Sequence, residues 1–281
     1  MRELDVNVVR RAVAQMVVDA NCCIGETMMQ CLRQCRDAEE APLSRSILDK
    51  IILNDQLAEE RQVAMCQDTG MAIFRVKVGQ DIRFTGGSLE EAIQQGTAEG
   101  YCDGYLRKSV VADPLFDRVN TKDNTPAIIY YEMVDGDQLD ITFAPKGFGS
   151  ENMSAIKMLK PADGVDGVLD FVMQTVKHAG PNPCPPMVIG VGIGGTFEKC
   201  AQLSKFALMR EVGSHNADAR YAALEDELMQ RINALHIGPA GLGGNTSALG
   251  VHIEYFPTHI AGLPVAVNIC CHAYRHSHVV L

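Results

Sequence analysis

Apolar positions recur at helical spacing through the first part of the chain. Val9, Val13 and Val17 fall on one helix face, and the segment 44-SRSILDKIILNDQLAEE-60 continues the same spacing. Apolar side chains three or four residues apart form a stripe that packs against a core. The pattern therefore predicts a helical N-terminal segment over residues 1–60.

Alternating and continuous apolar runs predict strands farther along the chain. The segment 71-MAIFRVKVG-79 alternates apolar and polar residues. The segments 127-AIIYYEM-133 and 138-QLDITFAP-145 flank Asp135-Gly136, a pair typical of hairpin turns. Further strands are predicted over 187–193, 247–256 and 264–271, and further helices over 88–107, 164–179, 197–212 and 218–235.

The order of these elements indicates the fold class. Helices come first, and strands and helices then follow in mixed order without an internal repeat or a linker. Such a mixture predicts an α+β fold, with a helical N-terminal layer packed on a mixed or antiparallel sheet. The length is compatible with a single domain over residues 1–281.

Charge and apolar content narrow the classes of function. The formal net charge is −10 and no run of Lys or Arg occurs, so a nucleic-acid partner is not expected. The longest apolar stretches, such as 187-MVIGVGIGG-195, are too short to span a bilayer, and the N-terminus lacks the apolar region of a signal peptide. The sequence predicts a cytoplasmic protein without a membrane partner.

Ten cysteines are many for a chain expected in a reducing compartment, where a disulfide framework is not favoured. No Cys-x-x-Cys occurs, so neither a zinc ribbon nor a thioredoxin-type site is supported. Six cysteines fall inside predicted helices, where a packing role is expected: Cys22, Cys23, Cys31, Cys35, Cys102 and Cys200.

The other cysteines of interest lie in loops or at a strand end. Cys184 lies in 181-PNPCPP-186, where prolines fix the backbone, so the segment is either a rigid ligand loop or a tight turn with an incidental thiol. Cys66 lies in 65-MCQDTG-70, which fits a polar site loop or a capped turn. Cys271 ends a predicted strand.

Two glycine-rich runs and eight histidines complete the candidates. The run 190-GVGIGGT-196 matches G-x-G-x-x-G by spacing, but no following strand ends in an acidic residue that could bind a ribose. Neither this run nor 238-GPAGLGGNTSALG-250 has a Walker A lysine, so both are interpreted as places of close backbone approach. No H-E-x-x-H pair occurs, and a zinc hydrolase is not supported.

Four segments, taken together and in order, resemble the class I fumarase and L(+)-tartrate dehydratase family. They are 66-CQDTGMAIF-74, 145-PKGFGSENMSAIKMLKP-161, 181-PNPCPPMVIGVGIGGTFEKC-200 and 257-PTHIAGLPVAVNICCHAYRH-276. The resemblance covers essentially the whole chain. It implies the α subunit of a hydro-lyase that interconverts fumarate and L-malate, a reaction of the tricarboxylic acid cycle. L(+)-tartrate dehydratase is the alternative within the same chemistry.

The resemblance also implies a cofactor, a 4Fe–4S cluster with one iron that carries no cysteine ligand. Its ligands fall on Cys66, Cys184 and Cys271. Cys270 is adjacent to Cys271, and neighbouring strand residues point to opposite faces, so only one of the two can reach a cluster. The open iron of such a cluster acts as a Lewis acid.

Five residues carry the substrate roles that the resemblance implies: Gln67, Asp68, Arg107, Gly149 and His259 bind the substrate, and Asp68 and His259 also take part in catalysis. Arg107 suits bidentate pairing with a carboxylate, and its alternative is a surface residue at a helix end. Gly149 offers a backbone N–H.

Single-chain members of the family continue into a second domain. The resemblance therefore implies a separate β subunit that completes the active site for a small dicarboxylate, in an α2β2 assembly or around a homodimer of α. Two other classes remain open: an iron–sulfur sensor subunit without catalysis, and a binding module whose cysteines only pack.

Overall fold

The computed structural model describes residues 2–281, which divide into two compact units. The first unit comprises Met1–Ile24, Asn54–Phe148 and Arg275–Leu281, and the second comprises Gly25–Leu53 and Gly149–Tyr274. Each unit has its own hydrophobic core. The single domain over residues 1–281 stays a prediction.

Helices and strands are interspersed along residues 2–281. In chain order they are β1 (Arg2–Asp5), α1 (Val6–Cys22), α2 (Glu26–Ala38), α3 (Pro42–Arg61), β2 (Met71–Gly79), β3 (Ile82–Thr85), α4 (Leu89–Asp103), β4 (Ile128–Val134), β5 (Leu139–Lys146), α5 (Phe148–Glu151), β6 (Ala155–Leu159), α6 (Gly164–Ala179), β7 (Met187–Gly194), α7 (Phe197–Ala207), α8 (Ala219–Asn233), β8 (Ala248–Phe256), β9 (Leu263–Cys270) and β10 (Ser277–Val280). Short 3-10 turns cover Pro161–Asp163 and Pro239–Gly241. The α+β prediction is confirmed.

The N-terminal residues do not follow the helical prediction. Arg2–Asp5 forms strand β1, which pairs in parallel with β3, and α1 begins only at Val6. The side chain of Asp5 accepts a hydrogen bond from the backbone N–H of Asn7 and so caps the helix. Residues before a cap lie outside the helix, which leaves their backbone groups available for strand pairing.

The sheet of the first unit has the order β10-β5-β2-β4. β2 runs parallel to β4 and antiparallel to β5, so it lies between two strands that the sequence predicts as a hairpin. That hairpin prediction is wrong. The connection between them crosses the end of β2, where the N–H of Asp81 donates to the carbonyl of Gly136 at 2.9 Å.

Helices α1 and α4 pack on each other in the first unit at glycines of α4. A Cβ on Gly96 would lie 2.4 Å from the carbonyl oxygen of Arg10, so the side chain is excluded by the partner backbone. The core beneath them joins both helices to the sheet through fully buried side chains that include Val9, Val13, Phe74 and Phe143.

The sheet of the second unit has the order β6-β9-β7-β8, with β7 parallel to β8 and antiparallel to β9. Helix α7 packs against β7 at two glycines of the strand. A Cβ on Gly190 would lie 2.2 Å from the carbonyl oxygen of Ser204, and one on Gly192 would lie 2.0 Å from that of Cys200. For this run of glycines, close backbone approach is therefore confirmed.

Other sequence predictions require correction or addition. Cys102 is exposed near the end of α4, so a packing role does not apply to it, whereas Cys22 and Cys200 are buried as expected. Strands β3, β6 and β10 were not predicted, because short edge strands carry little periodic signal. None of the helices in residues 2–281 combines the length and the apolar character that crossing a bilayer requires.

Candidate functional site

The loop of residues 65–70 in the first unit carries Cys66, Gln67 and Asp68. Its backbone carbonyls accept hydrogen bonds from side chains elsewhere in the unit: Asn54 bonds Met65 at 2.8 Å, Arg275 bonds Asp68 at 2.9 Å, Tyr101 bonds Thr69 at 2.8 Å, and Asn124 bonds Gly70 at 3.0 Å. Burial raises the pKa of Tyr101, which keeps its hydroxyl protonated as a donor. The loop backbone is thus fixed from several directions.

The carboxylate of Asp68 is held by backbone N–H groups on both oxygens. Oδ1 accepts from the N–H of Gly70 at 3.0 Å, and Oδ2 accepts from the N–H of Phe148 at 2.8 Å. The backbone N–H of Asp68 itself points at the sulfur of Cys66, 3.4 Å away. Such N–H groups stabilise a thiolate and tune the potential of a metal cluster bound to it.

Arg107 lies in an irregular segment after α4 rather than at the helix end. The helix ends at Asp103, and Tyr105 adopts a φ of 53°, which turns the chain away from the helix. The carbonyl of Arg107 accepts a hydrogen bond from the hydroxyl of Thr69 at 2.9 Å. This contact joins the backbone of Arg107 to the loop of residues 65–70.

Asp68 and Arg107 line one cavity of about 450 Å³ in the first unit. The full lining is Asp68, Gly70, Met71, Arg107, Ser109, Val110, Val111, Pro114, Arg118 and Phe148. Within residues 2–281 the guanidinium of Arg107 makes no hydrogen bond or ion pair. An uncompensated guanidinium beside an oriented carboxylate and a hydroxyl suits a small acidic ligand that also carries a hydroxyl.

A buried polar cluster lies behind the loop of residues 65–70. Arg275 is 6% exposed and donates to Asn21 at 3.2 Å as well as to the carbonyl of Asp68. Asp55 is 1% exposed, and within residues 2–281 its Oδ2 has no hydrogen-bond partner. Burial raises the pKa of Asp55 to about 6. A hydrogen bond from Asn54 and the charge of Arg275 lower the pKa, but by less than burial raises it.

Cys184 of the second unit lies on a rigid turn. Its φ is 54°, which is unusual for a residue with a side chain, and its N–H donates to the carbonyl of Pro181 at 3.1 Å. The loop around Gly241 packs directly on this turn, since a Cβ there would lie 2.3 Å from the Cβ of Pro181. Unusual backbone conformations held by their surroundings are frequent at functional sites.

Cys184 and Cys271 are brought together within the second unit. The backbone N–H of His272 donates to the carbonyl of Cys184 at 3.2 Å, which places the two cysteine segments side by side. Cys270 is buried as the last residue of β9 and pairs with Val188, whereas Cys271 follows the strand and is partly exposed. Of the two adjacent thiols, that of Cys271 is therefore the more accessible.

Gly149 lies beside the Cys184 turn, because a Cβ on it would lie 4.0 Å from the carbonyl oxygen of Asn182. The segment after Gly149 is anchored by an ion pair in which Lys205 contacts both carboxylate oxygens of Glu151 at 2.6 Å. Asn268 of β9 donates to the same carboxylate at 3.1 Å. The sequence carries no clear signal for this anchor, because Lys205 and Glu151 are brought together only by the fold.

His259 lies at the other end of β9 from Cys271. The hydroxyl of Thr258 donates to the carbonyl of Gly195, just beyond β7, and Gly262 donates to the carbonyl of His259. The eight residues of β9 separate the loop of His259 from Cys271, and an extended strand of this length spans roughly 23 Å. Within one chain, His259 is therefore not brought to Cys184 and Cys271.

The three cysteines that the sequence singles out fall in different units, Cys66 in the first and the other two in the second. Among residues 2–281 no three His, Cys, Asp or Glu side chains are grouped as a ready metal site. Their chemistry fits an iron–sulfur cluster, since two thiols lie on adjoining segments and the third receives a backbone N–H at its sulfur.

Fold and site together define an α+β protein with loop-borne cysteines and a cavity that Asp68 and Arg107 line. Residues 10–280 match the family model described as "Fumarate hydratase (Fumerase)", and the chain belongs to this family. It is 40% identical over 270 residues to the "Putative L(+)-tartrate dehydratase subunit alpha" of Methanocaldococcus jannaschii, with 94% of each chain covered. It is 34% identical over 274 residues to the L(+)-tartrate dehydratase subunit alpha of Escherichia coli K12, with 96% of this chain and 89% of that protein covered.

The raised pKa of Asp55 predicts a pH-dependent stability. The pKa of this carboxyl is about 6 in the folded protein, above its ordinary value of 3.8. The group therefore stabilises the fold fully below pH 3.8, and this contribution is lost as the pH rises through the folded pKa. Replacing Asp55 by Asn removes this loss. We expect the variant to gain stability relative to the wild type between pH 4 and pH 7, by at most about 3 kcal/mol.

Urea unfolding of both proteins at the two pH values measures this difference. The variant Asp103→Asn, at an exposed position that ends α4, is the matched control and should show little change between the two pH values. An equal effect of Asp55→Asn at both pH values would contradict the prediction.

Proposed function

We propose that this chain is the α subunit of an iron–sulfur hydro-lyase that acts on a four-carbon dicarboxylate. The cavity that joins the uncompensated guanidinium of Arg107 to the oriented carboxylate of Asp68 carries the proposal. The family description supports fumarate and L-malate as the substrate pair. The names of the relatives favour L(+)-tartrate as the second candidate.

The proposed cofactor is a 4Fe–4S cluster held by Cys66, Cys184 and Cys271. When bound, its open iron supplies a Lewis acid for a substrate hydroxyl. The rigid backbone at Cys184 and the N–H of Asp68 at the sulfur of Cys66 support this ligand set, because both pre-orient a thiolate.

The substrate contacts follow from the chemistry of the lining residues. Arg107, which lines the cavity, pairs with one carboxylate of the substrate. The amide of Gln67 and the backbone N–H of Gly149, which do not line this cavity, are proposed as further donors from the family resemblance alone. Asp68 keeps a lone pair on each oxygen after accepting its two backbone N–H groups, so it can accept a hydrogen bond from the substrate hydroxyl or the attacking water. A sensor subunit would have no use for such a cavity.

A separate β subunit is part of the proposal. Both relatives are named as alpha subunits of a dehydratase, which supports a partner chain that contributes to the active site. A partner that supplies further cations would help to hold the negative charge that develops when a proton is removed beside a carboxylate.

Anaerobic reconstitution with iron and sulfide, with and without the β chain, tests the function. We expect dehydration of L-malate or L(+)-tartrate only when the β chain is present, and a comparison of kcat/KM for the two substrates assigns the natural one. Full activity of the α chain alone would remove the β subunit from the mechanism. Absence of activity with both substrates in the reconstituted complex would refute the hydro-lyase.

Single replacements by serine test the ligand set. Cys66→Ser, Cys184→Ser and Cys271→Ser should each abolish retention of the cluster, measured as iron content and visible absorption after anaerobic reconstitution. Cys31→Ser and Cys200→Ser are the controls, since both residues lie within helices and should leave the iron content largely unchanged. Retention by Cys271→Ser together with loss by Cys270→Ser would reassign the third ligand.

We further propose that His259 acts in the site of a second copy of the chain. One β9 strand separates His259 from Cys271, and side chains around it are apolar and exposed, with Ile260 at 92% and Val165 at 54% exposure. An exposed apolar surface beside a site residue fits the interface of a twofold dimer, in which each copy would give His259 to the other. An α2β2 assembly satisfies this requirement.

Mixing two inactive variants tests this exchange. Co-assembly of His259→Ala chains with Cys184→Ser chains should restore about one quarter of the wild-type activity, because half of the dimers are mixed and each of these has one intact site. No recovery would indicate that His259 acts within its own chain. If His259→Ala alone is fully active, His259 has no role in the reaction.

A further inference from the structure

The cavity that contains Arg107 is covered on one side by a structured loop. Residues 109–121 fold back as a narrow hairpin, in which Val111 and Asn120 form an antiparallel bridge. The N–H of Ala112 donates to Val119 at 2.8 Å, and the N–H of Thr121 donates to Val110 at 3.0 Å. At its base the hairpin is held by the side-chain oxygen of Asn124, which accepts from the N–H groups of residues 109 and 110.

The tip of this hairpin fixes the position of Arg118. Asp113 accepts hydrogen bonds from the N–H groups of Leu115 and Phe116, which closes the turn. Arg118 adopts a φ of 47°, and its Nη1 donates to the carbonyl of Pro114. These contacts direct a long, otherwise mobile side chain back across the tip, and most of its guanidinium N–H donors remain for another partner.

Arg118 lines the same cavity as Asp68, Arg107 and Ser109. Within residues 2–281 neither guanidinium is within 4.0 Å of a carboxylate oxygen. Two guanidinium groups and one carboxylate give the lining a net charge of +1. This is the opposite of the chain as a whole, whose formal net charge is −10. A concave region with locally positive charge attracts anions, and a dianion gains more from it than a monoanion.

Nearby acidic residues do not neutralise Arg118. The carboxylate of Asp113 is occupied by the turn, and hydrogen bonds from the N–H groups of Phe116 and Leu115 lower its pKa, with a smaller contribution from the charge of Arg118. Asp113 therefore stays ionised in the turn, but it forms no ion pair with Arg118 within the described residues. The guanidinium remains available to a ligand in the cavity.

We propose that Arg118 binds the second carboxylate of the substrate and makes this cavity selective for dicarboxylates. The inference rests on the proposed function, in which Arg107 takes the first carboxylate. Arginine suits the role because its planar fork pairs with a carboxylate through two parallel hydrogen bonds. Asp68 and Ser109, which line the same cavity, are then available to the hydroxyl-bearing part of the substrate.

The test uses the reconstituted αβ enzyme and the variants Arg118→Gln and Arg118→Lys. Loss of a charged hydrogen bond to the bound substrate should raise KM for the dicarboxylate about 10- to 100-fold, while kcat changes little because the contact is made in both ground and transition states. Arg118→Lys should recover part of the loss. Arg11→Gln, a change at an exposed arginine of α1 outside the cavity, should leave KM unchanged.

Competitive inhibition by succinate and by its monoamide, succinamate, shows whether Arg118 binds the second carboxylate or only supports the structure of the cavity. The wild type should bind succinate more tightly, and the preference should disappear in Arg118→Gln because the second negative charge has lost its partner. An unchanged preference for succinate, or an unchanged KM, would overturn the proposal.

The role of Arg118 can be tested even if the proposed hydro-lyase activity is not found. If the wild-type complex dehydrates neither substrate, calorimetry of succinate binding to the wild type and to Arg118→Gln still decides the role of Arg118. Binding by the wild type that is lost in the variant would support the cation pair. Equal binding, or no binding by either protein, would refute it.

Discussion

The hydrogen bonds that hold the carbonyls of residues 65–70 are the constraint on which the first unit depends. Buried carbonyls need partners, and here the partners are the side chains of Tyr101, Asn124 and Arg275, drawn from distant parts of the sequence. With the backbone fixed, Asp68 can direct one N–H at the sulfur of Cys66 and present its carboxylate to the cavity. The same loop therefore orients a thiol and lines the cavity at once.

In the second unit, the segments that carry Cys184 and Cys271 are also held in place, but by other contacts. These segments are held through backbone geometry, by the positive φ of Cys184 and the hydrogen bond from the N–H of His272. The Gly149 segment is anchored by the pair of Lys205 and Glu151, which is only slightly exposed on the lysine side. Removing one partner of such an ion pair leaves the other charge buried and uncompensated. The pair therefore fixes a single arrangement of this segment more than it adds to stability.

Much of the fold could be predicted from local pattern, because long helices and apolar strands have strong periodicity. The strand order could not, since β2 enters between β4 and β5 through contacts more than fifty residues apart, and a turn sequence such as Asp135-Gly136 reports only the local chain reversal. Cys66, Cys184, Cys271, Asp68 and Arg107 were predicted as site residues from the segments that resemble the family. Arg118 and Lys205 were not, because only the tertiary structure gives them their neighbours.

The contact between Arg275 and Asp68 joins residues 207 positions apart, and it has a consequence for how the protein is made. The chain is synthesised from its N-terminus, so the loop of Cys66 emerges long before the guanidinium that fixes it. The last strand, β10, which pairs with β5, emerges later still. During synthesis this loop lacks one of its anchors until Arg275 has left the ribosome. A cofactor that depends on the fully held loop therefore has to be inserted after Arg275 has been synthesised.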